Sequence, residues 1–317
     1  MDKAERSLKK FWYDLQSTWT VLERINWLDP AFAVEKAYVC AVFSKAAYLK
    51  IPDFELADAD KAKVIPCLTY QYLIREGRQI DVVEYLRTAD FSNVFVEFNE
   101  RVVVVGIVLQ NVIIVAFRGT RPLYLSDWMT DFNSFKVEVT PDTNTVSFHK
   151  GFYLSISSIF ESIGNHLQKK LQLRDMPVYV VGHSLGGAMA AILYALGGRT
   201  FYSRYMYEAV NRPVPSSHSS FTVGMPRYGD KRAVASLRNP YHCYNVLDVV
   251  PNLPFHILGF EDSQKEYMIR GGKLIQNSRR GGLSPWALFP RLHYARGIRH
   301  HLIERYIVNL KSIVGIR

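Results

Sequence analysis

Val178-Tyr179-Val180-Val181-Gly182-His183-Ser184-Leu185-Gly186-Gly187-Ala188 joins a short β-branched run, a serine flanked by glycines and a stretch of small residues. That order predicts a buried strand, a tight turn and a small-residue helix over Ala188–Leu196. Gly182 and Gly186 each stand two residues from Ser184, in the pattern G-x-S-x-G. A serine on so sharp a turn has a strained backbone, and a side chain two residues away would run into the neighbouring strand or helix. Glycine avoids both collisions, and Gly187 and Ala188 let the helix lie close to the sheet. The helix N-terminus also directs N–H groups and its positive dipole end at an anion held beside the turn. Ser184 is therefore the candidate nucleophile.

Outward from this turn the pattern keeps alternating. Apolar strand candidates precede it at Val94–Phe98, Val102–Leu109 and Val112–Phe117, the last two joined by a tight turn at Gln110 and Asn111. The apolar period is helical from Phe148 to Leu171, and Phe221–Val223 and Tyr241–Leu247 read as later strands. Strands alternating with helices predict an α/β sheet covered on both faces, with its chemistry at the carboxyl edge. Near the N-terminus, Leu8, Phe11, Leu15, Trp19, Leu22 and Ile25 share one helical face over residues 5–28. A second helix is expected from Ala33 to Tyr48. No repeat and no linker-like tract divides the 317 residues, so one domain is expected, with residues 1–30 as an N-terminal helical extension.

Composition narrows the function. An apolar share of 48% excludes a disordered chain. The longest apolar stretch, Val102–Phe117, is too short and too interrupted to cross a bilayer. Residues 1–10 carry charges of both signs where a secretory leader needs an apolar core, which predicts a cytoplasmic or peripheral-membrane protein, with non-classical export open. Cys40, Cys67 and Cys243 have neither the number nor the spacing of a disulfide framework or a zinc site, and no metal is expected. The net charge of +10 is concentrated: from Lys265 onward eleven lysines and arginines face only Glu266 and Glu304. Such a segment suits an anionic membrane surface; nucleic acid is not expected, because no binding motif or aromatic platform accompanies it.

Five further motifs follow one another along the chain: Phe117-Arg118-Gly119-Thr120; Asp127-Trp128 with Asp131; His149-Lys150-Gly151-Phe152; Gly224-Met225-Pro226-Arg227-Tyr228-Gly229; and Asp248-Val249-Val250-Pro251 with Leu253-Pro254. Together with the serine turn they resemble the class 3 (fungal-type) lipases, over roughly Ala33 to Tyr306. The resemblance implies an α/β-hydrolase fold, a mainly parallel sheet flanked by helices with a short lid helix. It also implies hydrolysis of lipid esters, as a triacylglycerol lipase or a phospholipase A1, with no cofactor.

In that fold the order along the chain is Ser, acid, His. The carboxylates beyond Ser184 are Glu208, Asp230, Asp248, Glu261 and Asp262. Asp248 ends a strand-like run and is the one the resemblance selects; Asp230, the alternative, also suits the cap of a helix beginning at Lys231. His301 stands five residues before Tyr306, the spacing the resemblance implies for the base, while His300 remains the alternative and His256 and His293 fit loops. Leu185 N–H and, by resemblance, Thr120 would form the oxyanion hole. Tyr124, Leu125 and Trp128 would lie in the lid. A hydrolase-fold scaffold without activity is a further possibility, but the three triad positions are all filled.

Overall fold

The computed structural model describes residues 3–48, 94–98, 102–109, 111–119, 135–171, 175–203, 208–210, 216–277 and 297–316. Two helices come first, α1 (Lys3–Leu22) and α2 (Val34–Ala46). Three strands follow, β1 (Val94–Phe98), β2 (Val103–Val108) and β3 (Ile113–Phe117), then a hairpin of β4 (Lys136–Pro141) and β5 (Val146–His149). Next come α3 (Lys150–Ser157), α4 (Phe160–Leu171), β6 (Val178–His183) and α5 (Leu185–Leu196). Two short strands, β7 (Phe201–Ser203) and β8 (Glu208–Val210), lead to β9 (Ser219–Val223), α6 (Lys231–Ser236) and β10 (Tyr241–Asn245). The described chain closes with β11 (Lys265–Arg270), β12 (Lys273–Asn277) and α7 (Ile303–Val314).

Eight strands form the main sheet in the order β1-β2-β3-β6-β9-β10-β11-β12. Its centre is parallel, from β3 through β6, β9 and β10 to β11, and its margins are antiparallel. Alternation along the strands explains how both faces are covered. Ile114 and Ala116 on β3 and Tyr179 and Val181 on β6 point into a core shared with α1, α2 and α7. Ile113, Val115, Val178 and Val180 point the other way, against α3, α4 and α5. Every residue of β3 and β6 is buried, the mark of a strand covered on both sides. The smaller sheet, β5-β4-β7-β8, is antiparallel throughout.

Two expectations need correction, and one hairpin has no counterpart among them. The N-terminal helix stops at Leu22 instead of running to residue 28, because the chain tightens into turns there: the amide of Arg24 donates to Val21 O and that of Ile25 to Leu22 O. Asn26 then accepts the amide of Leu28, a side-chain turn that competes with helix. Ile25 and Trp27 are buried all the same, and the Tyr179 hydroxyl bonds the Trp27 and Asp29 carbonyls, so the turn docks on the sheet. The stretch from Phe148 to Leu171 is not helical throughout: Phe148 and His149 finish β5, and α3 and α4 are separate helices. The hairpin β11–β12 was not expected at all. Its signal was in the sequence, since Gly271 and Gly272 both take positive φ (56° and 71°) in a two-residue turn of the kind glycine pairs favour.

Candidate active site

Ser184 sits between β6 and α5 with φ 59° and ψ −133°, a conformation L-residues rarely adopt. Such strain costs on the order of 1–3 kcal/mol and persists only where the surroundings impose it. Here they do. A Cβ on Gly182 would meet the Gly186 carbonyl group at 2.4 Å, and one on Gly186 would meet the Phe117 carbonyl oxygen of β3 at 2.2 Å. The helix start is thus pressed onto the sheet, and the Ser184 amide donates to Val223 O on β9. Leu185 is the first residue of α5, so its N–H has no acceptor within the helix.

The carboxylate arrives from β10. Its last residue, Asn245, turns the chain so that the Asp248 amide donates back to Asn245 O. Asp248 is 2% exposed, with Oδ1 accepting the Val250 amide at 2.9 Å. The histidine arrives from a helical turn over residues 297–301 just ahead of α7. The Asn245 side chain ties these segments together, donating to His300 O (2.7 Å) and accepting from Asn309 (2.8 Å).

The three side chains then form one line. Ser184 Oγ lies 2.8 Å from His301 Nε2, and His301 Nδ1 lies 2.8 Å from Asp248 Oδ2. Since the carboxylate can only accept, Nδ1 carries the proton and Nε2 is left to take the serine's. Tyr306 adds a third contact, its hydroxyl donating to the same Oδ2 at 2.5 Å while accepting the Asn245 amide. Burial, and then the charge of Asp248, push the Tyr306 hydroxyl well above its usual range, so it stays a donor. Gly224 makes room behind the pair: its φ is 59°, and a Cβ there would stand 3.0 Å from Asp248 Oδ2 and 3.1 Å from His301 Nδ1.

The alternatives are placed elsewhere. Asp230 caps α6, its Oδ1 accepting the Ala233 amide. The His300 carbonyl accepts from the Asn245 side chain, while His301 is 3% exposed with its Nε2 2.8 Å from Ser184 Oγ. His256 packs with Glu261 and Asp262, which with it bring three potential metal ligands within 4.8 Å. Its Nε2 lies 3.3 Å from Asp262 Oδ2 and its Nδ1 lies 3.6 Å from Glu261 Oε1. Asp262 is also held by buried Arg227, whose guanidinium bonds the Asn252 and Pro254 carbonyls as well and so fastens two of the sequence motifs to each other. Thr120, Tyr124, Leu125, Trp128, Asp131 and His293, with the expected lid, lie outside the described residues. Sequence reasoning used Tyr306 only as a spacing mark and gave no role to Tyr48 or His183.

Comparison with known proteins bears on this geometry. Residues 114–257 match the family of class 3 lipases. Over those residues the chain is similar to the class 3 lipases. It is similar to a lipase of Rhizomucor miehei, 32% identical over 165 residues, covering 50% of this chain and 42% of that one. A lipase of Rhizopus niveus is 31% identical over 172 residues, covering 51% of this chain and 40% of that one. The chain thus spans less than half the length of these relatives. Among solved structures it is similar to that of an MDLA mutant from Penicillium cyclopium, with a TM-score of 0.51 and 17% identity over 87% of this chain and 94% of that one. That likeness concerns the fold, and the fold is that of the α/β-hydrolases. The expectation of a cytoplasmic or peripheral-membrane protein does not stand, because the relatives are secreted fungal lipases. Among the described residues no helix is long and apolar enough to cross a membrane.

Proposed function

We propose that this protein is a serine hydrolase of lipid esters, acting through Ser184, His301 and Asp248. The observation that carries the proposal is the buried line of two 2.8 Å contacts from Ser184 Oγ through His301 to Asp248. Ser184 attacks the ester carbonyl while His301 Nε2 takes its proton, and Asp248 stabilises the imidazolium. The Leu185 N–H, with Thr120 as its partner, stabilises the oxyanion; one such donor contributes about 3 kcal/mol to the transition state. His301 then hands the proton to the departing alcohol, and water releases the acyl group by the same route. The similarity to two fungal lipases supports lipid esters as the substrate class.

Tyr124, Leu125 and Trp128 are proposed as lid residues that an ester at an interface would displace. The basic segment after Lys265 favours anionic phospholipid surfaces, since each engaged cation contributes about 1 kcal/mol there. Hydrolysis of anionic liposomes that fades with salt supports this finer reading; equal rates on zwitterionic liposomes at every ionic strength refute it.

The central test is labelling by a fluorophosphonate. The wild-type protein should be modified on Ser184 and hydrolyse a short-chain ester, and Ser184→Ala should do neither. Labelling that persists undiminished in Ser184→Ala would assign the nucleophile elsewhere.

A further inference from the structure

A chain of hydrogen bonds runs beside the triad without including any of its side chains. The Gly119 amide donates to the Tyr48 hydroxyl at 3.0 Å. That hydroxyl lies 2.9 Å from His183 Nδ1, and His183 Nε2 lies 2.6 Å from the backbone carbonyl of His301. The chemistry of the ends fixes every proton between them. A carbonyl only accepts, so Nε2 must carry the imidazole proton. Nδ1 is then a bare acceptor, which makes Tyr48 its donor, and the Tyr48 oxygen accepts from Gly119. The directions agree all the way, from N–H to O–H to N and from N–H to O=C.

The three anchor points are the ones an acyl-transfer site must hold still. Gly119 immediately precedes Thr120, and a Cβ on it would meet Tyr48 Oη at 2.3 Å, His183 O at 2.5 Å and the Ser184 Cβ at 3.0 Å. His183 is the last residue of β6, next to the nucleophile. His301 supplies the base, and its ring lies 4.6 Å, centroid to centroid, from that of His183. We propose that Tyr48 and His183 act as one positioning unit that holds the Gly119 end of β3, the nucleophile turn and the main chain of His301 in register. This rests on the reading of Ser184 and His301 as the reacting pair. Neither residue touches the reacting atoms in this role. Burial and the adjacent His301 keep the His183 imidazole well below its usual range, so the neutral form the chain requires is the form present. Burial likewise raises the Tyr48 hydroxyl, which remains a donor.

The test uses Tyr48→Phe, His183→Gln, His183→Asn and the double variant Tyr48→Phe/His183→Gln. Glutamine places an N–H donor where Nε2 stood; asparagine places its polar atoms only where Nδ1 stood. For each protein the fraction of serine titrated by a fluorophosphonate is measured first, and kcat and KM on a water-soluble ester are expressed per titrated site. Outright removal of an oxyanion donor costs roughly 100- to 1000-fold, so an indirect loss should be smaller. Tyr48→Phe should lower kcat per site about ten- to hundredfold with KM within about twofold. His183→Gln should retain more kcat than His183→Asn, and the double variant should be no worse than about the poorer single one, as for residues acting as a unit. Unchanged kcat per titrated site, with any loss confined to the titrated fraction or to thermal stability, would show a merely structural role and overturn the inference. Additive losses would overturn the single unit. If the wild-type serine is not labelled at all, the hydrolase reading fails first and this inference with it.

Discussion

Replacing Asp248 by asparagine probes the site more sharply than any deletion, because it changes one atom and keeps the shape. Asp248 Oδ1 accepts from the Val250 amide, which can only donate. Oδ2 accepts from His301 Nδ1 at 2.8 Å and from the Tyr306 hydroxyl at 2.5 Å. In the Asp248→Asn protein the carboxamide oxygen stays with the Val250 amide, since a backbone N–H cannot turn, whereas the Tyr306 hydroxyl can. The new NH2 then faces His301 and donates to Nδ1. The imidazole must shift its proton to Nε2, and Nε2 in that tautomer cannot take the Ser184 proton. Where a triad loses its tautomer in this way kcat falls about 10⁴-fold, equivalent to about 5.5 kcal/mol of barrier. The assay is hydrolysis of a soluble ester per mole of folded protein, with the thermal midpoint measured alongside to show that the fold survives. A loss of tenfold or less in a folded Asp248→Asn protein would refute the reasoning. It would mean either that the carboxamide oxygen faces His301 or that another carboxylate serves the base.

His301→Ala should abolish turnover as completely as Ser184→Ala, while His300→Ala should keep a substantial fraction of activity, because the ring 2.8 Å from Ser184 Oγ is that of His301; initial rates on one ester decide between them, and the reverse ranking would transfer the role to His300. Gly186→Ala drives a methyl to within 2.2 Å of the Phe117 carbonyl oxygen and should destabilise the fold by about 3 kcal/mol or more in urea unfolding; a change under about 0.5 kcal/mol would contradict the close approach of α5 to β3. His149 is buried and its imidazole is lowered to about 4. Below the ordinary value of 6.5 the unfolded chain takes up a proton that the folded chain refuses, so stability should fall as pH drops from 6.5 toward 4, by up to about 3 kcal/mol from this group. The stability profile of His149→Gln should be correspondingly flatter over that window, and a slope identical to the parent's would show that His149 does not carry it.

The sequence determined what local chemistry can write. Val178–Ala188 carries a strand, a turn that tolerates only glycine at two positions and a small-residue helix, because sterics at one serine require that order. The two-faced burial of β3 is legible in its unbroken apolar run. Asp248 could be selected because it follows a strand in a turn, and Asp230 could be read as a cap from the helix it starts. The rest depends on which segments meet. Nothing within His300-His301 says which ring faces the serine; Asn245, 55 residues upstream, decides it by holding the His300 carbonyl. Tyr306 reaches the Asp248 carboxylate only because α7 packs behind β10, and Tyr48 reaches Gly119 and His183 only because α2 lies against the sheet. Such contacts join residues from 55 to 135 positions apart, and no periodicity or motif records them. They arise from burial: once these polar atoms are removed from water, each must find a partner, and only the packed fold supplies it.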